Sequence, residues 1–304
     1  MTGTPPPLLL AGHGSADPVG AAAFNALTSR VAKLLAPDGI DVAGGFIELS
    51  DPPLSAAVGE LAARGHRHLV AVPLMLASAG HAKGDIPAAL ARERSRHPGL
   101  AFSYGRPLGP HPALLAVQSE RIAAVARPAG TGPDAVLLAG RGSTDPDANA
   151  ETCKAARLLW ETLPGSVSAR RFAFTETAFV SLASPDVTEG LERCRLLGAA
   201  SVVVARYFLF PGVLPDRVAG HARRYAAAHR GLDIRCTDVL GDCDEVAALA
   251  ADRYREALTG DIRMNCDTCV YRVPLPGFEH RAGTPPHPHH HPADPLRSGP
   301  GHAP

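Results

Sequence analysis

At 304 residues the chain is long enough for two domains of ordinary size, each with its own core. Thirty basic and thirty acidic residues cancel, which argues against the basic field a nucleic-acid partner would need and against a solvating acidic tail. No apolar run approaches the ~20 residues needed to cross a bilayer, and no basic region precedes the first apolar run, so no membrane partner, no signal peptide and a cytoplasmic location are expected. The six cysteines are scattered apart from Cys266 and Cys269, a pattern of reduced thiols with one candidate metal pair.

The first element is a strand over 8–12, three leucines broken at Gly12, with His13 held between Gly12 and Gly14. A helix over 18–36 follows, with Phe24, Leu27, Val31 and Leu34 at helical spacing and Asp17-Pro18 as its start signal. A second strand is expected over 40–48, ending at Glu48, and then a helix opened by residues 50–53 that ends near Gly65. Residues 68–76, HLVAVPLML, read as a third strand, apolar on both faces as covered parallel strands are. The pattern breaks at ASAGHAKGDIP, where His81 sits beside Gly80, and a helix opened by Asp85 runs to about His97. A strand over 101–104 and a helix over 111–125 close the first half.

Residues 127–134 have linker composition, after which the order repeats. Strands are expected over 135–139, 169–175, 201–210 and 233–239, with helices starting near Asp145, Pro185, Pro215 and Asp242. LLAGRGSTD at 137–145 copies the first motif with Arg141 where His13 stands, and FVSLASPDV at 179–187 lies over FIELSDPPL at 46–54. The expected architecture is α/β, two tandem duplicated domains, each a four-stranded parallel sheet with helices on both faces. The expected divisions are a catalytic domain over 1–129, a degenerate repeat over 130–260, and over 261–304 a cysteine-pair segment followed by a His/Pro-rich tail without fixed structure.

His13 and His81 both stand beyond the ends of buried strands, where ligands bind in open α/β sheets, and adjacent parallel strands lie about 5 Å apart. Two imidazoles with the Glu48 carboxylate could hold a divalent first-row metal, and an imidazole of ordinary pKa about 6.5 can also accept a proton. The wide spacing of the three argues for an open, transient site rather than a closed structural zinc site. Taken singly, His13 reads equally as a loop residue bonded to backbone and Glu48 as a capping carboxylate.

GHGS after an apolar strand, GFIE at 45–48 and PLMLASAGHAKGDIP at 73–87 together resemble the sirohydrochlorin chelatases of the cobalamin and sirohaem pathways, in their long, two-domain form. The resemblance runs from Leu8 to about Phe278. It implies insertion of Co²⁺ or Fe²⁺ into sirohydrochlorin, a metal-free tetrapyrrole, without nucleotide hydrolysis. It also implies that His13 and His81 are the active-site histidines, with Glu48 as their acidic partner. Cobalt is the first expectation and iron the alternative; nickel and a homo-oligomeric state are left open. The substrate's carboxylates call for cations around the cleft, for which Lys83, Arg106 and Arg141 are candidates.

The second half lacks these groups: Arg141 replaces the first histidine, Ser181 stands opposite Glu48, and 208–216 holds no histidine, so a structural role as the other wall of the cleft is expected. Long members of the resembled family carry a Met-x-Cys-x-x-Cys segment associated with a [4Fe-4S] cluster, which here implies Cys266 and Cys269, with further ligands from Cys236, Cys243 or a second subunit. His287, His289, His290 and His291 read as weak metal binders that raise local supply. Two rival readings remain: a histidine phosphatase, which would show Arg rather than Gly12 before His13, and a metal carrier without catalysis.

Overall fold

A computed structural model describes residues 5–126, 133–163, 172–260, 271 and 279–284. Leu8, Leu9, Leu10 and Ala11 are fully buried because β1 (Leu8–Gly12) is an inner strand of a parallel sheet and is covered on both faces. Its neighbours are β2 (Val42–Phe46) and β3 (His68–Pro73), with β4 (Ala101–Tyr104) outside β3, in the order β2-β1-β3-β4. The second sheet repeats this as β6-β5-β7-β8, from β5 (Asp134–Gly140), β6 (Phe172–Phe179), β7 (Ser201–Arg206) and β8 (Asp233–Cys236). Every pairing is parallel. The expected class, two duplicated four-stranded parallel sheets with helices, is what the chain forms.

The helices are α1 (Pro18–Leu35), α2 (Leu54–Ala63), α3 (Ile86–Arg96), α4 (Pro112–Val125), α5 (Pro146–Thr162), α6 (Val187–Leu196), α7 (Val213–Ala228) and α8 (Asp244–Thr259). Asp17 caps α1 by accepting from the Val19 N–H, and Asp145 caps α5 by accepting from the Asp147 N–H, so the two copies of the motif end in the same way. Several strands are shorter than their apolar runs. The run over 40–48 leaves the ladder after Phe46, where the Ile47 and Glu48 N–H groups turn back to the carbonyls of Gly12 and His13. The run over 68–76 stops at Pro73, which has no N–H to continue pairing. β6 lies further along the chain than the expected 169–175, and residues 169–171 are outside the described ones.

The halves exchange their last helices. α4 packs on α5 and β7 of the second half, and α8 packs on α1, β3 and β4 of the first. One apolar core therefore joins Leu8, Val70 and Val72 of the first sheet to Val136, Leu138 and Val203 of the second, through Leu114 of α4 and Tyr254 of α8. The seam also carries a buried cation: Arg253 of α8 donates to the carbonyls of Pro107 (3.1 Å) and Leu108 (2.6 Å) and pairs with Glu256. The connection near residue 130 is thus a boundary in sequence while the packed bodies interlock across it.

Within the tail expected to be unstructured, Glu279–Arg281 forms a 3₁₀ turn, and Arg281 donates to the Thr144 carbonyl (2.9 Å). That side-chain-to-backbone bond anchors a stretch whose composition offers little to bury. Residues 285–304, with the four expected metal-binding histidines, and residues 261–270, with Cys266 and Cys269, lie outside the described residues. No helix among the described residues is long and apolar enough to cross a membrane.

Candidate active site

Register sets the site. Gly12 lies opposite Phe46 on β2 and Ala11 opposite Pro73 on β3, so the loops after β1, β2 and β3 leave the sheet at one level. Gly14 has φ +103°, and a Cβ there would fall 1.7 Å from the Glu48 carbonyl oxygen. Glycine is what lets the histidine loop and the Glu48 loop lie against each other. Gly142 repeats this (φ +85°, 1.9 Å from the Ser181 carbonyl oxygen), which establishes in space that Ser181 occupies the place of Glu48.

His13, Glu48 and His81 converge, each partly buried, with donor atoms all within 4.8 Å of one another. The His13 and His81 rings meet edge to face with centroids 4.2 Å apart. His13 Nδ1 is 3.2 Å from the Gly14 carbonyl oxygen, which accepts only if Nδ1 carries the hydrogen. Its Nε2 lone pair then points at Glu48 Oε1, 3.1 Å away. Two acceptors at that distance repel unless a proton or a metal ion lies between or beside them. Burial, then the charges of His81 and Arg141, lower the His13 pKa to about 4. An imidazole left neutral beside a carboxylate could serve as a metal ligand.

His81 opens a π-helical turn, His81–Asp85, that leads into α3. Its Nδ1 is 2.6 Å from Asp85 Oδ2, and Asp85 is buried. This carboxylate takes the Nδ1 hydrogen, so that Nε2 carries the ring's lone pair. Sequence reasoning assigned Asp85 only the opening of a helix; its side chain makes no cap and instead orients a site histidine. The His-x-x-x-Asp spacing, one helical turn, was the available signal.

The three expected substrate cations separate. Arg141 follows β5 as His13 follows β1, and it lies near enough for its charge to act on both His13 and Glu48. It retains contact with solvent, while partial desolvation lowers its pKa and Glu48 opposes the shift. Lys83 is otherwise engaged: its Nζ lies between Asp145 Oδ2 (2.7 Å) and Asp147 Oδ2 (3.1 Å) with its side chain 7% exposed. Arg106 makes two 2.8 Å bonds to Glu256 on α8. Both charges are committed to joining the halves, because the exchanged packing brings carboxylates distant in sequence against them. Cys236 packs against one core of the second half and Cys243 against the other, and burial raises the pKa of both thiols.

Two parallel α/β lobes, interlocked by exchanged helices and carrying a His-Glu-His set at the strand ends of one lobe, define a two-lobed protein in which that set could hold a metal ion. The chain belongs to the CbiX family, whose model matches it twice, over residues 7–125 and 135–257. Among curated relatives it is 35% identical over 271 residues to the sirohydrochlorin cobaltochelatase of Priestia megaterium, covering 88% of this chain and 84% of that protein. It is 28% identical over 182 residues to the sirohydrochlorin ferrochelatase of Bacillus subtilis, covering 60% and 66%. Its fold also superposes on the sirohydrochlorin chelatase SirB from Bacillus subtilis subspecies spizizenii in complex with cobalt, with a TM-score of 0.67, 25% identity, and coverage of 83% of this chain and 95% of that one.

Proposed function

We propose that this protein is a sirohydrochlorin chelatase that inserts Co²⁺ into the metal-free tetrapyrrole on the route to cobalamin. The observation that carries this reading is the His13–Glu48–His81 set, with the Arg141 charge acting on it, in a chain of the CbiX family. The longer and closer match to a relative named as a cobaltochelatase favours cobalt over iron.

Metallation exchanges two pyrrole protons for one divalent ion, so charge balances when both protons leave. His13, neutral above pH about 4, and Glu48 serve as ligands that hold the ion and release it to the four macrocycle nitrogens. His81 is assigned the role of proton acceptor, because the Asp85 carboxylate holds its Nδ1 hydrogen and turns the Nε2 lone pair to the site. Arg141 would pair with a substrate carboxylate from the opposite wall. The Cys266–Cys269 pair is proposed as an iron-sulfur ligand pair separate from this chemistry; anaerobically purified protein would contain iron and sulfide that disappear in Cys266→Ser.

The test is an anaerobic absorbance assay of sirohydrochlorin with Co²⁺, Fe²⁺ and Ni²⁺ in parallel. Fastest metallation with Co²⁺ is expected. Preference for Fe²⁺ would assign the protein to sirohaem synthesis, and metal binding with an unchanged tetrapyrrole spectrum would make it a carrier.

A further inference from the structure

Lys83 lies two residues from His81, inside the same π-helical turn, and its bonds reach into the other half of the molecule. Asp145 and Asp147, which hold its Nζ at 2.7 and 3.1 Å, have side chains only 2% exposed, at the start of α5. Five residues before Lys83, the Ser78 N–H donates to Glu151 Oε2 (2.7 Å) and its hydroxyl lies 3.4 Å from Glu151 Oε1, on the next turn of α5. Both sides of the His81 loop are therefore fastened to one helix of the second half. A further bond, from Tyr104 OH to the Ala82 carbonyl (2.7 Å), secures it from its own half.

The anchor is itself rigid. Asp145 accepts from the Asp147 N–H and donates its own N–H to Ser143 Oγ (3.0 Å), while Ser143 and Asn149 exchange two 2.8 Å bonds. Arg141 belongs to this same loop, four residues before Asp145. The reciprocal contact differs in kind: the loop after β7 meets α1 through backbone, close enough that a Cβ on Gly20 would lie 2.8 Å from the Pro211 carbonyl oxygen. The ionic fastening belongs to the loop that carries a metal-site histidine.

We propose that the second half, which has none of the His13, Glu48 and His81 groups, serves the reaction by holding His81 in place. Ser78 and Lys83 on one side and Asp145, Asp147 and Glu151 on the other are positioning residues. Because Arg141 and Asp145 share one braced loop, the cation offered to the tetrapyrrole and the histidine offered to the metal keep a fixed mutual register. This last step rests on the chelatase reading; the holding of His81 does not.

The test measures Co²⁺ binding without tetrapyrrole, by the visible absorption of the bound ion, and metallation of sirohydrochlorin, in Lys83→Met, Lys83→Arg, Glu151→Ala and Glu256→Gln. Lys83→Met is expected to lose tenfold or more in Co²⁺ affinity and to raise the Co²⁺ KM, on the scale set by groups that orient metal ligands, with Lys83→Arg recovering most of both. Glu256→Gln loosens a different contact between the halves, the one to Arg106, and should leave Co²⁺ affinity unchanged. A folded Lys83→Met with wild-type Co²⁺ affinity, or an equal loss in Glu256→Gln, overturns the proposal. Should Lys83→Met fail to fold, Glu151→Ala decides: a threefold or greater loss supports it and wild-type affinity refutes it. A wild type that binds Co²⁺ without metallating sirohydrochlorin would remove the chelatase reading and leave this comparison intact.

Discussion

Replacing Asp85 by Asn isolates what the buried carboxylate does for His81. Asn is nearly isosteric, and its amide oxygen can still accept from His81 Nδ1 at the 2.6 Å position, so the ring keeps a partner and loses only the negative charge behind it. Hydrogen bonds to charged groups contribute about 1.5–3 kcal/mol against about 0.5–1.5 for neutral ones, so roughly 1–1.5 kcal/mol of support for the His81 ligand or imidazolium is at stake. At ~1.4 kcal/mol per factor of ten, Co²⁺ affinity should fall about five- to tenfold, near the lower end of the 10–100-fold range typical of ligand-orienting partners. The rate at saturating Co²⁺ should fall as well, since the proton acceptor is weakened. Calorimetric titration with Co²⁺, steady-state metallation and a melting curve on the same preparation separate these effects. Unchanged affinity and rate in a stably folded Asp85→Asn would show that Asp85 is a structural carboxylate and that His81 needs no orienting partner.

His13→Ala and His81→Ala should each cut metallation by at least ~100-fold, the scale of a positioned acid or base, with near-normal rates in both folded variants removing the mechanism. Arg141→Ala should weaken equilibrium binding of sirohydrochlorin by about 1.5–3 kcal/mol and leave turnover at saturating substrate largely intact, because a fixed cation binds ground and transition states alike; normal binding with lost turnover would contradict this. The lowered His13 pKa predicts a pH effect of definite sign. A histidine unprotonated in the fold down to about pH 4 but protonated near 6.5 when unfolded adds acid destabilisation as pH falls from 6.5 to 4. His13→Ala should flatten that part of the stability profile measured by denaturant unfolding, and an unaltered slope would refute the assignment. Gly14→Ala should destabilise the fold by at least ~2 kcal/mol in thermal or denaturant unfolding, since its φ is positive and its Cβ would strike the Glu48 carbonyl. Gly80→Ala, with helical backbone and nothing within 4 Å of the added carbon, should unfold like the wild type.

Local signals carried much of the architecture. Apolar runs of strand length, glycines at the breaks and Asp-Pro pairs before helices are short-range features, and they locate the eight strands among the described residues and the start of each long helix there to within a few residues. The duplication is equally visible, because its copies keep the residues that local backbone demands: Gly14 and Gly142 at positive φ, each against a carbonyl of the neighbouring loop. His13, His81 and Glu48 were legible for a related reason. Strand ends in a parallel sheet all leave at one edge, so residues that follow buried strands are brought to a common rim. What tertiary structure decided was which charges face that rim. Lys83 and Arg106 look as available as Arg141 in sequence, yet their partners Asp145, Asp147 and Glu256 lie 62, 64 and 150 residues away and meet them only through the interlocking of the two halves. The exchange of α4 and α8 has no local signature, since an amphipathic helix needs an apolar surface and its own sequence does not say whose. Sequence periodicity sets which face of a helix is buried; only the closed fold determines what buries it, and with that which cations meet carboxylates of the other half.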